Sequence, residues 1–177
     1  MRGLRLLVAA GLGSLLQNGA HAAEIFGGIF AHDVETPFTR GGFEGGLDIQ
    51  LGWRGDRIRQ LGIIGSPSPY VFGSLSTAGA TNFAAAGVSW RIGGKLFVRP
   101  GVGIAIHDRD GFIVGGDGFR RDLGSRLLLE PEIGIGYQVD DAVSVEATWV
   151  HISQGQLFSS QNPGMDSIGA RLSYRFR

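Results

Sequence analysis

From residue 23 onward, apolar positions alternate with polar or small ones in eight segments. They run roughly over residues 24–32, 42–53, 70–78, 82–92, 96–107, 125–139, 143–152 and 165–176. Successive residues of a strand face opposite sides, so each segment reads as a strand with one apolar face and one polar face. Most are about ten residues long, which suits a tilted strand crossing a bilayer better than the shorter strands of a globular sheet. Val98, Pro100, Val102, Ile104 and Ile106 oppose Arg99, Gly101, Gly103 and Ala105. Leu127, Leu129, Ile133, Ile135 and Tyr137 oppose Arg126, Glu130, Glu132, Gly134 and Gly136. Glu146 opposes Val145 and Trp149, and Arg171 and Arg175 oppose Leu172, Tyr174 and Phe176.

The charged faces decide between the two all-β architectures. A sandwich core does not tolerate Arg99, Arg126, Glu130, Glu132, Glu146 and Arg171 pointing inward. A small membrane barrel does, because its apolar face meets lipid while its narrow lumen holds paired charges with small residues between them. The expectation is an eight-stranded antiparallel transmembrane β-barrel of the outer-membrane type. Trp53, Trp90, Tyr137, Trp149, Tyr174 and Phe176 lie near strand ends, where an aromatic girdle belongs. Outer connections fall at residues 32–41, 79–81, 107–124 and 154–164, with tight inner turns at Gly93-Gly94 and Asp140-Asp141. The long inner connection 54–69 has no place in this scheme. Pro100 and Pro131 remove ladder donors and predict bulges or local irregularity.

Composition narrows the setting. Thirty-one glycines are spread through the alternating segments rather than gathered in linkers, and there is no cysteine, so no disulfide braces the fold. Residues 1–22 read as a secretory signal, with Arg2 and Arg5, an apolar centre and Ala20-His21-Ala22; residues 23–177 form the barrel domain. Without the two leader arginines, 14 basic residues face 16 acidic ones, a formal charge of −2. Nucleic-acid binding, which calls for a basic excess, is not indicated. Asp108-Arg109-Asp110-Gly111 resembles the start of a calcium loop, but Phe119 stands where a bidentate Glu is needed. His32 and His107 read as surface histidines, no cluster has metal-ligand spacing, and the chain calls for no cofactor.

The chemistry concentrates near the C-terminus. His151 and Ser153 share a strand face and stand about 6–7 Å apart along it. Asp166 shares its parity with Ile168, Ala170, Leu172, Tyr174 and Phe176. If the last two strands pair, a hydroxyl, a base and an orienting acid meet on one surface, as in an activated serine nucleophile. That surface is the apolar one.

These residues also carry a family likeness. His151-Ile152-Ser153-Gln154, then Gly164-Met165-Asp166 and residues 167–176, resemble the end of the PagL family of outer-membrane lipid A 3-O-deacylases. That family has a His-x-Ser-Asn stretch near the end of its seventh strand and a Gly-hydrophobic-Glu at the start of its eighth. Motif similarity covers about the last 35 residues; elsewhere the likeness is of architecture. The resemblance implies a bacterial outer-membrane esterase acting on lipid A of lipopolysaccharide. Ser153 would be its nucleophile, His151 its base, Asp166 its acid, and Gln154, Gly155 and Gln156 its oxyanion-hole segment. Leu157 and Phe158 would brace an acyl chain or anchor the interface. The chain departs from the pattern with Asp166 for Glu, Gln154 for Asn, Gln156 where the family has Gly, and one extra residue between serine and acid. A non-catalytic small barrel, structural, adhesive or lipid A-binding, is the competing reading. The sequence leaves monomer and homodimer open.

Overall fold

The computed structural model describes residues 23–39, 44–109, 123–155 and 164–176. The proposed leader 1–22 lies outside them. The eight long strands are β1 (Ala23–Ala31), β2 (Leu47–Arg54), β3 (Ser68–Ser76), β4 (Phe83–Ser89), β5 (Leu96–His107), β6 (Leu127–Gln138), β7 (Val143–Ile152) and β8 (Met165–Phe176). Each pairs antiparallel with its neighbours in the chain, and β1 pairs with β8 to close the ring. Closure leaves no free edge among these strands, so the ladder groups are paired as a lipid environment requires. This is the antiparallel barrel that the alternation predicts.

The faces are inverted relative to a water-soluble protein. Leu51, Leu75, Leu96, Ile106, Ile135 and Leu172 are more than half exposed, whereas Arg54, Gln50, Glu130 and Arg171 are buried. Inside, Arg54 Nη1 lies 2.9 Å from Glu24 Oε2, and Arg99 Nε lies 3.0 Å from Glu146 Oε2. The lumen also holds what alternation alone does not predict, an apolar plug that includes Phe26, Phe30, Phe72, Phe83 and Leu128. The Arg171 guanidinium lies 4.9 Å from the ring centres of Phe26 and Phe72, and it bonds Glu132 Oε2 at 2.6 Å. Cation–π contact and the ion pair together satisfy a charge that would otherwise be stranded among rings.

Several local expectations need correction. Arg126 is exposed, not luminal: it precedes β6, beyond the point where the ladder enforces alternation. The second strand begins at Leu47 rather than near residue 42. The prolines introduce no bulge, since the β5–β6 register runs unbroken from Leu96↔Tyr137 to Ile106↔Leu127. Their effect falls on the other neighbours, where the missing N–H was needed. β4 stops at Ser89 opposite Gly101 and resumes at Ile92 opposite Val98, with Pro100 in the gap. Likewise β6–β7 pairing ends at Glu132↔Val150 and resumes as a single bridge, Leu129↔Ser153, with Pro131 in between. The inner connection after β2 contains a short 3₁₀ helix, Arg59–Ile64.

Candidate active site

The β7–β8 register sets His151 directly opposite Asp166. The imidazole and the carboxylate meet at the outer end of the barrel, where His151 Nδ1 lies 2.6 Å from Asp166 Oδ1. An Nδ1–H donated to the carboxylate leaves Nε2 with a free lone pair, the tautomer a general base needs. Trp149, two residues back on the same face, stacks on His151 with ring centres 5.7 Å apart and planes 25° apart. Asp166 keeps the outward parity of Ile168 yet is fully buried, while Ile168 is 45 % exposed. Something must therefore cover it.

The cover is the connection after β1, which sequence reasoning missed. Thr36 Oγ1 donates to Asp166 Oδ2, as does Thr39 Oγ1 at 2.7 Å. Val34 N–H donates to the Asp166 carbonyl at 2.8 Å. Thr36 Oγ1 in turn accepts from the N–H groups of Phe38 and Thr39 at 3.1 and 3.3 Å, a local side-chain turn that fixes the hydroxyl. Phe38 lies against Trp149, with ring centres 5.5 Å apart. Asp166 is thus held on both oxygens, by the histidine on one and two hydroxyls on the other, as an ionised carboxylate with acceptors only requires.

Ser153 extends the same outward row beyond His151. Its backbone is pinned by the bridge to β6, with N–H donating to the Leu129 carbonyl at 3.0 Å and its own carbonyl accepting from Leu129 N–H at 2.6 Å. The hydrogen bonds of this cluster join His151 to Asp166 and Asp166 to the threonines; a bond from the His151 ring to the Ser153 hydroxyl is not among them. Gln154 is fully buried, and Gly155 is exposed with φ +57°. Gln156, Leu157 and Phe158 lie outside the described residues. Gly164 packs against the histidine: a Cβ built there would sit 2.9 Å from His151 Cε1.

His32 is not a surface histidine. It is 4 % exposed, with Nδ1 2.8 Å from Asp48 Oδ1 and Nε2 3.0 Å from Glu44 Oε2. Burial works against its charged form, but the bonds to Asp48 and Glu44 outweigh it and lift its pKa from 6.5 to about 9. Burial likewise works against the Glu44 carboxylate, and its bonds to His32 and to Thr81 hold its pKa at about 2. His107 is half-buried, its Nε2 2.8 Å from the Ser125 carbonyl. Asp108 binds Asn82 at 2.6 Å rather than opening toward an ion; Asp110, Gly111 and Phe119 lie outside the described residues. A cavity of about 510 Å³ opens at the opposite, inner mouth, lined by Glu24, Arg54, Arg91, Arg99 and Arg175 among others. It has no part in the His151 cluster.

Comparison with known proteins bears on both fold and site. The sequence model of the lipid A 3-O-deacylase (PagL) family matches residues 34–175, a span that contains His151, Ser153 and Asp166. The crystal structure of the outer membrane enzyme PagL is similar, with a TM-score of 0.55 and 16 % identity, over 88 % of this chain and 99 % of that one. Neisserial surface protein A is similar too, with a TM-score of 0.57 and 13 % identity, over 87 % and 97 %. At such identities the likeness is one of fold, and a fold does not by itself carry an activity. No curated protein matches in sequence.

Proposed function

Because this chain belongs to the lipid A 3-O-deacylase (PagL) family, we propose that it is an outer-membrane serine esterase that removes the 3-O-linked acyl chain of lipid A. The observation that carries the reading is the His151–Asp166 pair, 2.6 Å apart and braced by Thr36 and Thr39, on the outward face of the barrel. A catalytic pair on that face meets substrate only if the substrate lies in the membrane. Lipopolysaccharide in the outer leaflet presents its ester-linked chains at that height.

In the mechanism, Ser153 Oγ attacks the ester carbonyl carbon while His151 Nε2 takes its proton. Asp166 holds the imidazole in the required tautomer and stabilises the imidazolium that forms. The Gln154–Gln156 segment supplies the donors that steady the oxyanion. Collapse of the tetrahedral adduct breaks the bond to the sugar 3-oxygen, which receives the proton from His151. Water, deprotonated by the same nitrogen, then attacks the acyl-serine carbonyl, releasing the fatty acid and returning the proton to Ser153. On this reading the bond between Ser153 and His151 forms as substrate seats, since catalytic hydrogen bonds are often made or tightened only in the substrate complex.

The test is mass spectrometry of lipid A from cells with and without expression. Loss of one 3-linked hydroxyacyl chain, with release of the free hydroxy fatty acid, is expected; an unchanged lipid A profile would overturn the reading. One observation favours a second reading, binding of lipid A without turnover: the Ser153 hydroxyl is not bonded to His151. Retained lipid A co-purifying with the barrel, with no change in its mass, would select that alternative.

A further inference from the structure

The connection between β2 and β3 is built, not slack. Gly55 N–H donates to the Pro69 carbonyl and Ile58 N–H to the Pro67 carbonyl, both at 2.8 Å, closing its base. Above that base the 3₁₀ helix Arg59–Ile64 ends on Gly65 at φ +89°, with the Gly65 and Ser66 N–H groups capping it at 3.0 Å. None of its residues is buried. Ile63 is 97 % exposed, Ile64 52 % and Leu61 37 %. A hydrogen-bonded turn that holds three branched apolar side chains in the open is costly in water unless something receives them.

Its position says what receives them. The Ile64 carbonyl accepts from Trp90 Nε1 at 2.6 Å, and Gly65 packs against the same indole. Trp90 follows the buried Ser89 and so has the outward parity of Ala84 and Ala86. The helical turn is therefore tied at Trp90 to the outer face of the wall, while the base of the connection at Gly55, Asp56 and Arg57 lines the luminal mouth. Arg57 Nη2 reaches the Arg91 carbonyl at 3.1 Å, fixing the second side of the connection. Exposed Ile92 and Leu96, on the next hairpin, continue the lipid-facing surface beside it. The helix lies at the barrel end where Ala23 pairs with Phe176 and Glu24 with Arg54, the periplasmic end of such barrels. Apolar residues preceded by Arg59 at the start of the helix suit a phospholipid surface, which offers acyl chains inside and phosphates at the rim.

We propose that residues 57–65 form a membrane anchor seated in the headgroup–acyl boundary of the inner leaflet. Leu61, Ile63 and Ile64 enter the lipid, Arg59 meets phosphates, and Trp90 marks the depth. The anchor fixes the height of the barrel in the bilayer from below.

The chain contains no cysteine, so one introduced thiol carries one spin label. Ile63→Cys is labelled in vesicles of zwitterionic and anionic phospholipid and probed by power saturation with oxygen and a water-soluble nickel chelate. Leu172→Cys, on the lipid-facing wall, and Asp140→Cys, in an inner turn, bracket the scale. The expected result is greater accessibility to oxygen than to nickel, at a depth between the two references. Nickel accessibility equal to that at Asp140 would place the residue in water and overturn the proposal. Exclusion of both reagents, with spin–spin broadening, would mean contact with a second copy and overturn it equally. Because Ile63 is almost wholly exposed, the substitution leaves the fold intact.

Discussion

His151 and Asp166 face one another across the β7–β8 ladder, and the ring nitrogen of one lies 2.6 Å from the carboxylate of the other. The bond is made on the lipid-facing side, at the level where the β6–β7 ladder opens around Pro131 and closes again on Ser153. Imidazole, carboxylate and serine are thereby placed in one outward row, with residues 151 and 152 of β7 free of the neighbouring β6.

Ser153→Ala is expected to reduce deacylation by on the order of 10⁴-fold or more, as loss of a nucleophile does in serine hydrolases. The backbone bridge to Leu129 does not use the hydroxyl, so the barrel should keep its heat-modifiable gel migration and β-rich circular dichroism. Release of hydroxy fatty acid at the wild-type rate by the folded variant would exclude Ser153 as nucleophile.

Asp166→Asn should cost about 10⁴-fold, because an amide can present its NH₂ to Nδ1 and favour the wrong tautomer. Asp166→Glu should also lose activity. The carboxylate already sits 2.6 Å from His151 and is gripped by two threonines, which leaves no room for a further methylene. Activity in the Glu variant at or above wild type would show that the shorter side chain is a handicap rather than a fit.

The strands and their faces were legible in the sequence because a period of two survives wherever one face meets lipid. His151 and Asp166 were legible because they sit at the facing ends of consecutive strands. Thr36 and Thr39 were not: they are 130 and 127 residues from Asp166, and threonines in a connection carry no pattern. His32 was misread because a histidine at a strand end looks solvated until Asp48 and Glu44 close on it. Arg126 was misread by extending alternation past the ladder that enforces it. The phenylalanine plug was hidden by β1 itself, where Phe26-Gly27-Gly28-Ile29-Phe30 offers apolar residues to both sides.

Under the proposed mechanism Thr36 and Thr39 act as positioning residues, through their hydrogen bonds to Asp166. A hydrogen bond to a charged group contributes about 1.5–3 kcal/mol; if about half of that serves to hold the carboxylate, Thr36→Val or Thr39→Val loses roughly three- to tenfold in rate. The double variant should lose more, with the loss in kcat rather than KM. Thr36→Ser or Thr39→Ser, which restores the hydroxyl, should recover most of it. Loss in KM alone would assign the threonines to substrate binding instead.

The His32–Glu44 pair predicts a pH window for stability. The His32 pKa rises from 6.5 to about 9 on folding, so its contribution is complete below about 6.5 and is lost as pH climbs through 9. The Glu44 pKa falls from 4.5 to about 2, so its contribution is complete above about 4.5 and is lost as pH drops through 2. Both are fully present between about pH 4.5 and 6.5. Unfolding in detergent should show the wild type losing stability above that window more steeply than His32→Gln. Parallel curves for the two proteins would mean that His32 is neutral in the fold.

Gly164→Ala tests how closely the histidine is confined. The residue has φ +59°, where an alanine costs about 1–2 kcal/mol. Its Cβ would stand 2.9 Å from His151 Cε1 and 2.8 Å from Thr39 Cγ2, inside ordinary contact for both. One of these neighbours must yield. His151 is held by Asp166 at one nitrogen and by the stacked Trp149 on its face, so its remaining freedom is a tilt that carries Nε2 away from the serine. Thr39 can yield only by loosening its bond to Asp166. Either way the proposed triad opens, and catalysis should fall by at least tenfold while the barrel, destabilised by about 1–2 kcal/mol, still folds. If Gly164→Ala keeps full activity, the ring is not confined at this wall, and substrate rather than protein must set the position of Nε2.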